Sequence, residues 1–442
     1  MIKRNSILLA SLMLSTSVMA EIVKKEVKVS KLDDGKLHGY TRLHHIFDGE
    51  SNGFDKNTGS TVGVALKYGE TFSKHFALGG EVYGVAETGF NNHDKTVALG
   101  QGMGVSSTDQ AQGHVSGLHF TLKGLPGKSK VTWARSQFKS PMTKIEITHV
   151  PNMYEYLRAD TGILGGNLSL SFITDMAYGS RSAADWGLIG ERTATAGMSH
   201  SPFSDKGTNT LERGKYYRID ETAGSASTEG IAVVGYERQF DNLKLNIWNF
   251  KAENILNNLY TELDYAIKFG EGNAVVLSGQ YLKQKIDDVT LNSGGNTYGG
   301  AFYGAQAKVK VKKFVLKIAY NKKDDEGGFY NAWGANPGYT SSIFSRNEYR
   351  DGVKAGKITG IYGLTKNLKV MGSVAQYSQS NMKLAGKDAQ GSAKETDLVM
   401  IYKPQKNLML KLFNANRTSE FNGLGATPKT QNHTRLIANY AF

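Results

Sequence analysis

The chain has 442 residues, with 53 lysines and arginines against 40 acidic residues for a formal charge of +13, and no cysteine. The lack of cysteine excludes a disulfide-stapled fold, which a chain of this length does not need in order to bury a core. No stretch beyond the first twenty residues approaches about 18 consecutive apolar positions, which excludes transmembrane helices. The mean hydropathy of −0.38 does not exclude a membrane β-barrel, whose alternating faces hide the apolar half in the average.

In chain order, Lys3 and Arg4 precede a short apolar stretch from Ile7 to Leu14, and Val18-Met19-Ala20 presents the residues a signal peptidase reads. Residues 1–20 therefore read as a secretory signal peptide cut between Ala20 and Glu21, too short in its apolar part to anchor in a bilayer. Loss of Lys3 and Arg4 lowers the formal charge from +13 to +11. Residues 21–36, rich in lysine, read as a periplasmic leader, and 37–442 as one domain.

That domain reads as strands of about ten residues with period-two alternation. Leu37 to Phe47 places Leu43 and Phe47 opposite Arg42 and His44; Val62, Val64, Leu66 and Tyr68 oppose Lys67. Leu259, Thr261, Leu263, Tyr265, Ile267 and Phe269 form a row interleaved with Glu262, Asp264 and Lys268. Tyr303 to Val311 opposes Gln306, Lys308 and Lys310, Phe314 to Tyr320 flanks Lys317, and Leu408, Leu410 and Leu412 oppose Lys411. The chain ends on a strand whose apolar face is Leu436, Ala438, Tyr440 and Phe442, the form of a terminal strand read by barrel-assembly machinery.

Alternation alone suits a β-sandwich or a transmembrane barrel. Connection lengths separate the two. Short turns are expected near 124–129, 162–167, 240–242, 270–273, 312, 364–367 and 403–407, with long connections at 48–60, 88–114, 138–153, 178–228, 285–298, 322–351, 378–393 and 418–431 between them. Regular short–long alternation is the pattern of periplasmic turns and external loops. The expectation is an all-β fold, a transmembrane antiparallel β-barrel most consistent with 18 strands (alternative 16), one of them weak near Tyr154 to Asp160. A barrel of that size is wide enough for an aqueous channel.

Several stretches carry a family resemblance: "STVGVALKYGETFSKHFALGGEVYG", "VPNMYEYLRAD", "LYTELDYAIKFGEGNAVVLSGQYLKQ" and "FVLKIAYNKKDDEGGF", followed by the terminal strand. In this order the chain resembles the Opr family of porins of Campylobacterota, related to the OprD-type substrate-specific channels of pseudomonads. The resemblance implies an 18-stranded outer-membrane barrel of a Gram-negative bacterium, narrowed by inward-folded loops. It also implies a row of basic lumen residues guiding anionic or carboxylate-bearing solutes, with a monomer or a trimer both open. "SPMTKIEITHVPNM" is only loosely similar to the usual third loop.

The candidate functional residues are electrostatic. By alternation the pore-lining candidates are Arg42, Lys67, Glu262, Asp264, Lys268, Lys308, Lys310, Lys317 and Lys411. Positive charge along a narrow passage raises the local concentration of anions. Arg135, Lys139, Lys144 and Glu146 flank or lie in the third loop as constriction candidates, and Arg158 follows on the weak strand with its face undecided. Tyr440 and Phe442 are the assembly-signal candidates. Tyr68, Trp133, Tyr236, Phe269, Tyr320 and Tyr402 suit interfacial girdles.

Other motifs fail on spacing. Gly127-Lys128-Ser129 lacks the phosphate-loop glycine, since Leu122 stands there; the Asp48–Gly53 stretch lacks the Glu a calcium loop needs at Gly59. His44 and His45 point to opposite strand faces and cannot chelate one ion together. No nucleophile elbow or Ser/His/Asp arrangement is evident, so no enzyme, cofactor or metal is expected. Expected partners are outer-membrane lipid and lipopolysaccharide, the assembly machinery and small anionic or polar solutes, not nucleic acid. The alternative role is a surface-interaction or adhesion barrel with a plugged lumen, carried by the loops 178–228 and 322–351.

Overall fold

The computed structural model describes residues 34–48, 57–88, 112–143, 149–179, 214–222, 226–288, 298–330, 333, 337–343, 351–384, 387–422 and 429–442. The expected signal peptide, and the leader up to residue 33, lie outside these residues. The strands are β1 (Asp34–Asp48), β2 (Asn57–Ser73), β3 (Phe76–Glu87), β4 (Gln112–Leu125), β5 (Ser129–Ser136), β6 (Met153–Ile163), β7 (Gly166–Ala177), β8 (Tyr216–Arg218), β9 (Ile231–Phe240) and β10 (Leu243–Ala252). They continue as β11 (Leu256–Phe269), β12 (Asn273–Ile286), β13 (Gly300–Val311), β14 (Phe314–Lys323), β15 (Val353–Gly363), β16 (Leu368–Leu384), β17 (Lys387–Gln405), β18 (Leu408–Asn422) and β19 (Lys429–Ala441).

All strands but β8 join one closed antiparallel barrel. β1 pairs with β2 on one side and with β19 on the other, so the sheet has no free edge. β8 adds only a three-residue ladder on the outer end of β7, and β9 pairs with the rest of β7 from Gly166 to Ile173. The barrel therefore has 18 strands, with one short strand beside them. Its seam closes at the C-terminus, where Phe442 N–H donates to Gly39 O at 3.1 Å and Gly39 N–H donates to Phe442 O at 2.9 Å.

The alternation read from the sequence becomes the two faces of the wall. Outward lie exposed apolar and aromatic side chains, among them Leu66, Leu263, Ile318, Ile358 and Leu398, the last two 56% and 60% exposed. Inward lie polar and charged residues such as Glu81, Asp264, Gln280, Lys308, Asn321 and Glu395, all buried. Apolar outside and polar inside is the arrangement of a barrel that spans a membrane. At one rim the strands are joined by tight turns. Leu164 and Gly165 both adopt positive φ (50° and 72°), as the central pair of a type I′ hairpin turn requires.

Three boundaries differ from the sequence reading. β1 begins at Asp34, so the end of the expected leader belongs to the barrel. β16 runs on to Leu384 and β17 starts at Lys387, within the expected long connection 378–393. β18 likewise extends to Asn422 and β19 begins at Lys429, within 418–431. These stretches, such as Ser-Gln-Ser-Asn over 378–381 and Lys-Asp over 387–388, are mostly polar in sequence, so the period-two signal fades there.

Candidate functional site: the barrel lumen

Register places the inward residues in rows around the wall. Lys308 stands directly opposite Lys317, and the row continues through Thr359 and Ser373 to Asp397. Lys317 donates to Gln306 Oε1 at 3.2 Å. Lys357 lies next to this row, 3.6 Å from Asp397 Oδ2, which also accepts from Ser373 Oγ at 3.0 Å. Around the seam, Arg42 on β1 donates to Asn439 on β19 at 2.9 Å, with Arg435 two turns of the pleat away and Lys411 on β18. On the other side Lys67 pairs with Glu81 at 2.9 Å, and Lys130 lies 3.6 Å from Asp160.

Two connections fold into this lumen. The first leaves β5 at Ser136 and crosses to the wall at β1 and β2. Tyr40 donates its hydroxyl to His149 O at 2.6 Å, and His149 Nε2 shares a 2.8 Å hydrogen bond with Thr61 Oγ1. Burial, then the guanidinium groups of Arg42 and Arg435, pushes the His149 imidazole down to about 3. Gly63 lies beneath it, and a Cβ there would collide with the His149 ring. Lys139, on the near side of the same connection, keeps solvent exposure although the surrounding wall desolvates it. Burial, with Lys67 as the strongest neighbouring cation, lowers its pKa below the ordinary lysine value.

The second connection joins β14 to β15. Trp333 O accepts from Tyr154 on β6 at 2.6 Å, and Trp333 Nε1 donates to Thr222 at 3.3 Å. Tyr330 exchanges two hydrogen bonds with the Gln284 side chain on β12, at 2.7 and 2.8 Å. Further on, Tyr339 donates to Glu262 at 2.9 Å, Thr340 donates to Asn321, Lys357 donates to Ser341 O at 2.6 Å, and Tyr377 donates to Thr340 O at 2.6 Å. Ile343 then packs against the Val399–Phe413–Ile437 cluster on β17, β18 and β19. The connection thus spans the lumen from β11 to β17–β19. Where it meets the first one, Phe138, Tyr154, Tyr156, Trp248, Phe250, Tyr330 and Trp333 share an apolar cluster against β6 to β13.

The sequence-derived candidates distribute as follows. Arg42, Lys67, Glu262, Asp264, Lys268, Lys308, Lys310, Lys317 and Lys411 all sit on inward rows. Lys308, Lys317 and Lys411 are nevertheless only 3%, 3% and 4% exposed, so the lumen closes tightly around them, while Lys268 is open to solvent. Arg158 faces inward: it pairs with Asp160 at 2.8 Å, donates to Ser169, and lies 5.5 Å from the Phe138 ring and 5.9 Å from that of Trp248.

Arg135 belongs to the end of β5, on the face of Trp133 and Leu118 rather than that of Ala134 and Tyr156. It pairs with Glu155 at 2.7 Å and lies over the Tyr216 ring at 4.8 Å, and Tyr216 in turn packs against the cluster of Ala65, Tyr83 and Met153. Lys144 and Glu146 lie outside the described residues. Missed by the sequence reading were Lys357, Glu395, Asp397 and Arg435, although each sits on the charged side of an alternating strand. His149 and Trp333 lie on connections with no such pattern.

No protein-family model matches the chain, and no curated protein matches it in sequence. Solved structures do. Pseudomonas aeruginosa OpdK with vanillate superposes with a TM-score of 0.69 at 12% identity, covering 92% of this chain and 98% of that one. P. aeruginosa OccK2 (OpdF), also solved in complex with glucuronate, gives 0.66 at 13%, covering 92% and 97%. P. aeruginosa OccK9 (OpdG) gives 0.67 at 15%, covering 92% and 99%. The fold is that of the OprD/Occ outer-membrane porins. On this fold the inward rows and the two connections line the interior of the barrel. Among the described residues no group of three or more His, Cys, Asp or Glu side chains forms a metal cluster.

Proposed function

We infer that this chain is an outer-membrane porin, a water-filled conduit for passive diffusion of small polar solutes and ions, with a preference for anions or carboxylates. The observation that carries the preference is the opposition of Lys308 and Lys317 on the lumen face, with Lys357 beside them. Cations gathered on the wall of a narrow passage raise the local concentration of anions. Solved structures of the same fold contain vanillate and glucuronate, both carboxylates, which supports this reading. Placement in the Opr branch of Campylobacterota rests on the order of the sequence motifs. The reading assigns transport and no reaction.

Reconstitution into a planar bilayer under a salt gradient tests it. Stepwise conductance with an anion-side reversal potential is expected. A cation-side reversal would keep the pore and overturn the preference. A folded barrel without conductance would favour the surface-interaction role, for which the tightness of the apolar cluster around Trp333 is the specific observation.

A further inference from the structure

On the outside of the wall, the external ends of β10, β12, β14 and β15 carry five outward lysines. Lys322 and Lys354 stand directly opposite each other across the β14–β15 ladder, both exposed. Among the described residues neither ammonium group has a carboxylate within ion-pair distance. Lys251 and Lys285 flank Asn257 in a neighbouring row, and Lys283 sits one pleat below Lys285. Lys283 pairs with Glu326 at 3.0 Å and Lys285 with Asp287 at 2.7 Å, both in the open. Among the described residues two of the five lysines thus have an ion-pair partner.

The position of these lysines gives the group its meaning. Tyr281 and Tyr303 pair across β12 and β13 with ring centroids 5.4 Å apart, and Tyr303 is the register neighbour of Lys322. Tyr320 lies one pleat below Lys322 on the same face, 47% exposed, and below it comes Ile318. Along β14 the outward face therefore reads apolar, aromatic, cationic towards the external rim. Aromatic rings mark the boundary between hydrocarbon and headgroups, so the ammonium groups stand at headgroup level. Two lysines forced opposite each other on a sheet destabilise it unless an anion sits between them. Lysine suits a phosphate there as a point charge with three donors.

We propose that Lys322 and Lys354, supported by Lys251, Lys283 and Lys285, form a docking site on the outer wall for the phosphate groups of an outer-leaflet glycolipid. The site uses the membrane-spanning fold and is independent of conduction, so its fate and that of the porin reading are measured separately.

The test is native mass spectrometry of the detergent-solubilised full chain titrated with bisphosphorylated lipid A, compared with its dephosphorylated form. Lys322→Gln with Lys354→Gln should weaken retention of the phosphorylated lipid about thirtyfold, since each juxtamembrane lysine contributes on the order of 1 kcal/mol of attraction to an anionic surface. The dephosphorylated lipid should bind both proteins equally weakly. A Lys268→Gln control, changed inside the lumen, should retain lipid as the parent does. Equal retention by parent and double variant overturns the site, as does equal binding of the two lipids by the parent. Displacement by millimolar inorganic phosphate alone would assign the lysines to free anion and also overturn the glycolipid. Bilayer conductance of the double variant should match the parent, which separates this outcome from any failure of the pore.

Discussion

The imidazole of His149 lies against that of His44, ring centroids 4.1 Å apart, and this contact fastens the connection after β5 to the wall at β1. Both rings are fully buried. Both nitrogens of His44 and Nδ1 of His149 have no hydrogen-bond partner among the described residues, so nothing there accepts a proton that either ring would gain. Arg42, Arg435 and Lys411 supply positive charge around them. Two neutral rings are compatible with that setting and two cations are not.

The docking should therefore depend on pH. His149 is held at about 3, below the ordinary 6.5 of the undocked side chain. The undocked state binds more protons between these values, so docking is at full strength above about pH 6.5 and is lost as pH falls towards 3. At pH 4 the loss is on the order of 3 kcal/mol. Single-channel noise and proteolysis of the 137–152 connection should both rise between pH 7 and pH 4. His149→Gln should flatten that dependence. A flat parent profile would show that the contact does not hold the connection.

Gly63 tests the same contact without titration. It lies under the His149 ring, where only the absence of a side chain allows the approach. Gly63→Val should displace the connection while leaving the β1–β2 ladder paired, because valine suits a strand. Conductance should increase and the pH dependence should disappear. Unchanged conductance in a folded variant would place the constriction elsewhere.

Legibility in the sequence followed the environment of each strand. Wall strands between lipid and a charged lumen, such as β11 and β14, showed plain period-two patterns, and their inward residues were named from them. β6 looks weak because Tyr154 and Tyr156 share its inner face with Arg158 and Asp160 while Glu155 shares the outer face with Leu157, so neither face is uniform. β16 and β17 read as shorter than they are because the sequence at their adjoining ends, from Ser378 to Ser392, is mostly polar and loses the period-two pattern. The lumen connections had no pattern to read. Tyr154 and Trp333 are 179 positions apart, and Thr61 and His149 are 88 apart, so only the closed barrel brings them together.

The connection between β14 and β15 depends on Gln284, whose amide satisfies both the N–H and the carbonyl of Tyr330 inside the barrel. Gln284→Leu keeps the volume roughly and strands both groups. An unsatisfied buried group costs about 1–3 kcal/mol, so this variant should loosen the connection while the wall stays closed. Faster proteolysis within 324–352, with unchanged heat-resistant migration of the barrel, is the expected outcome. Equal proteolysis rates would mean that Trp333 and Tyr339 anchor the connection without it.

Charge in the lumen should be separable from stability. Replacing Lys308, Lys310 and Lys317 together by Gln removes three inward cations from two adjacent strands. The barrel should still close, and the reversal potential should move towards the cation side. An unmoved reversal potential would take these lysines out of the selectivity and leave it to Arg42, Arg158 and Arg435.

Phe442 joins assembly to closure. Its backbone makes the last two hydrogen bonds of the β19–β1 seam, and its ring covers Gly39, where a Cβ would meet it. Deleting Phe442 removes both bonds at the end of a ladder that still pairs from Tyr40 with Ala441 to Asp48 with His433. The loss of two net hydrogen bonds costs about 1–3 kcal/mol, little for a seam of this length. The purified variant should therefore refold in detergent nearly as well as the parent. In cells its surface level should fall steeply, because Phe442 with Tyr440 also presents the aromatic end expected to be read during assembly. Equal loss in both settings would make the residue purely structural, and normal surface levels would remove it from assembly altogether.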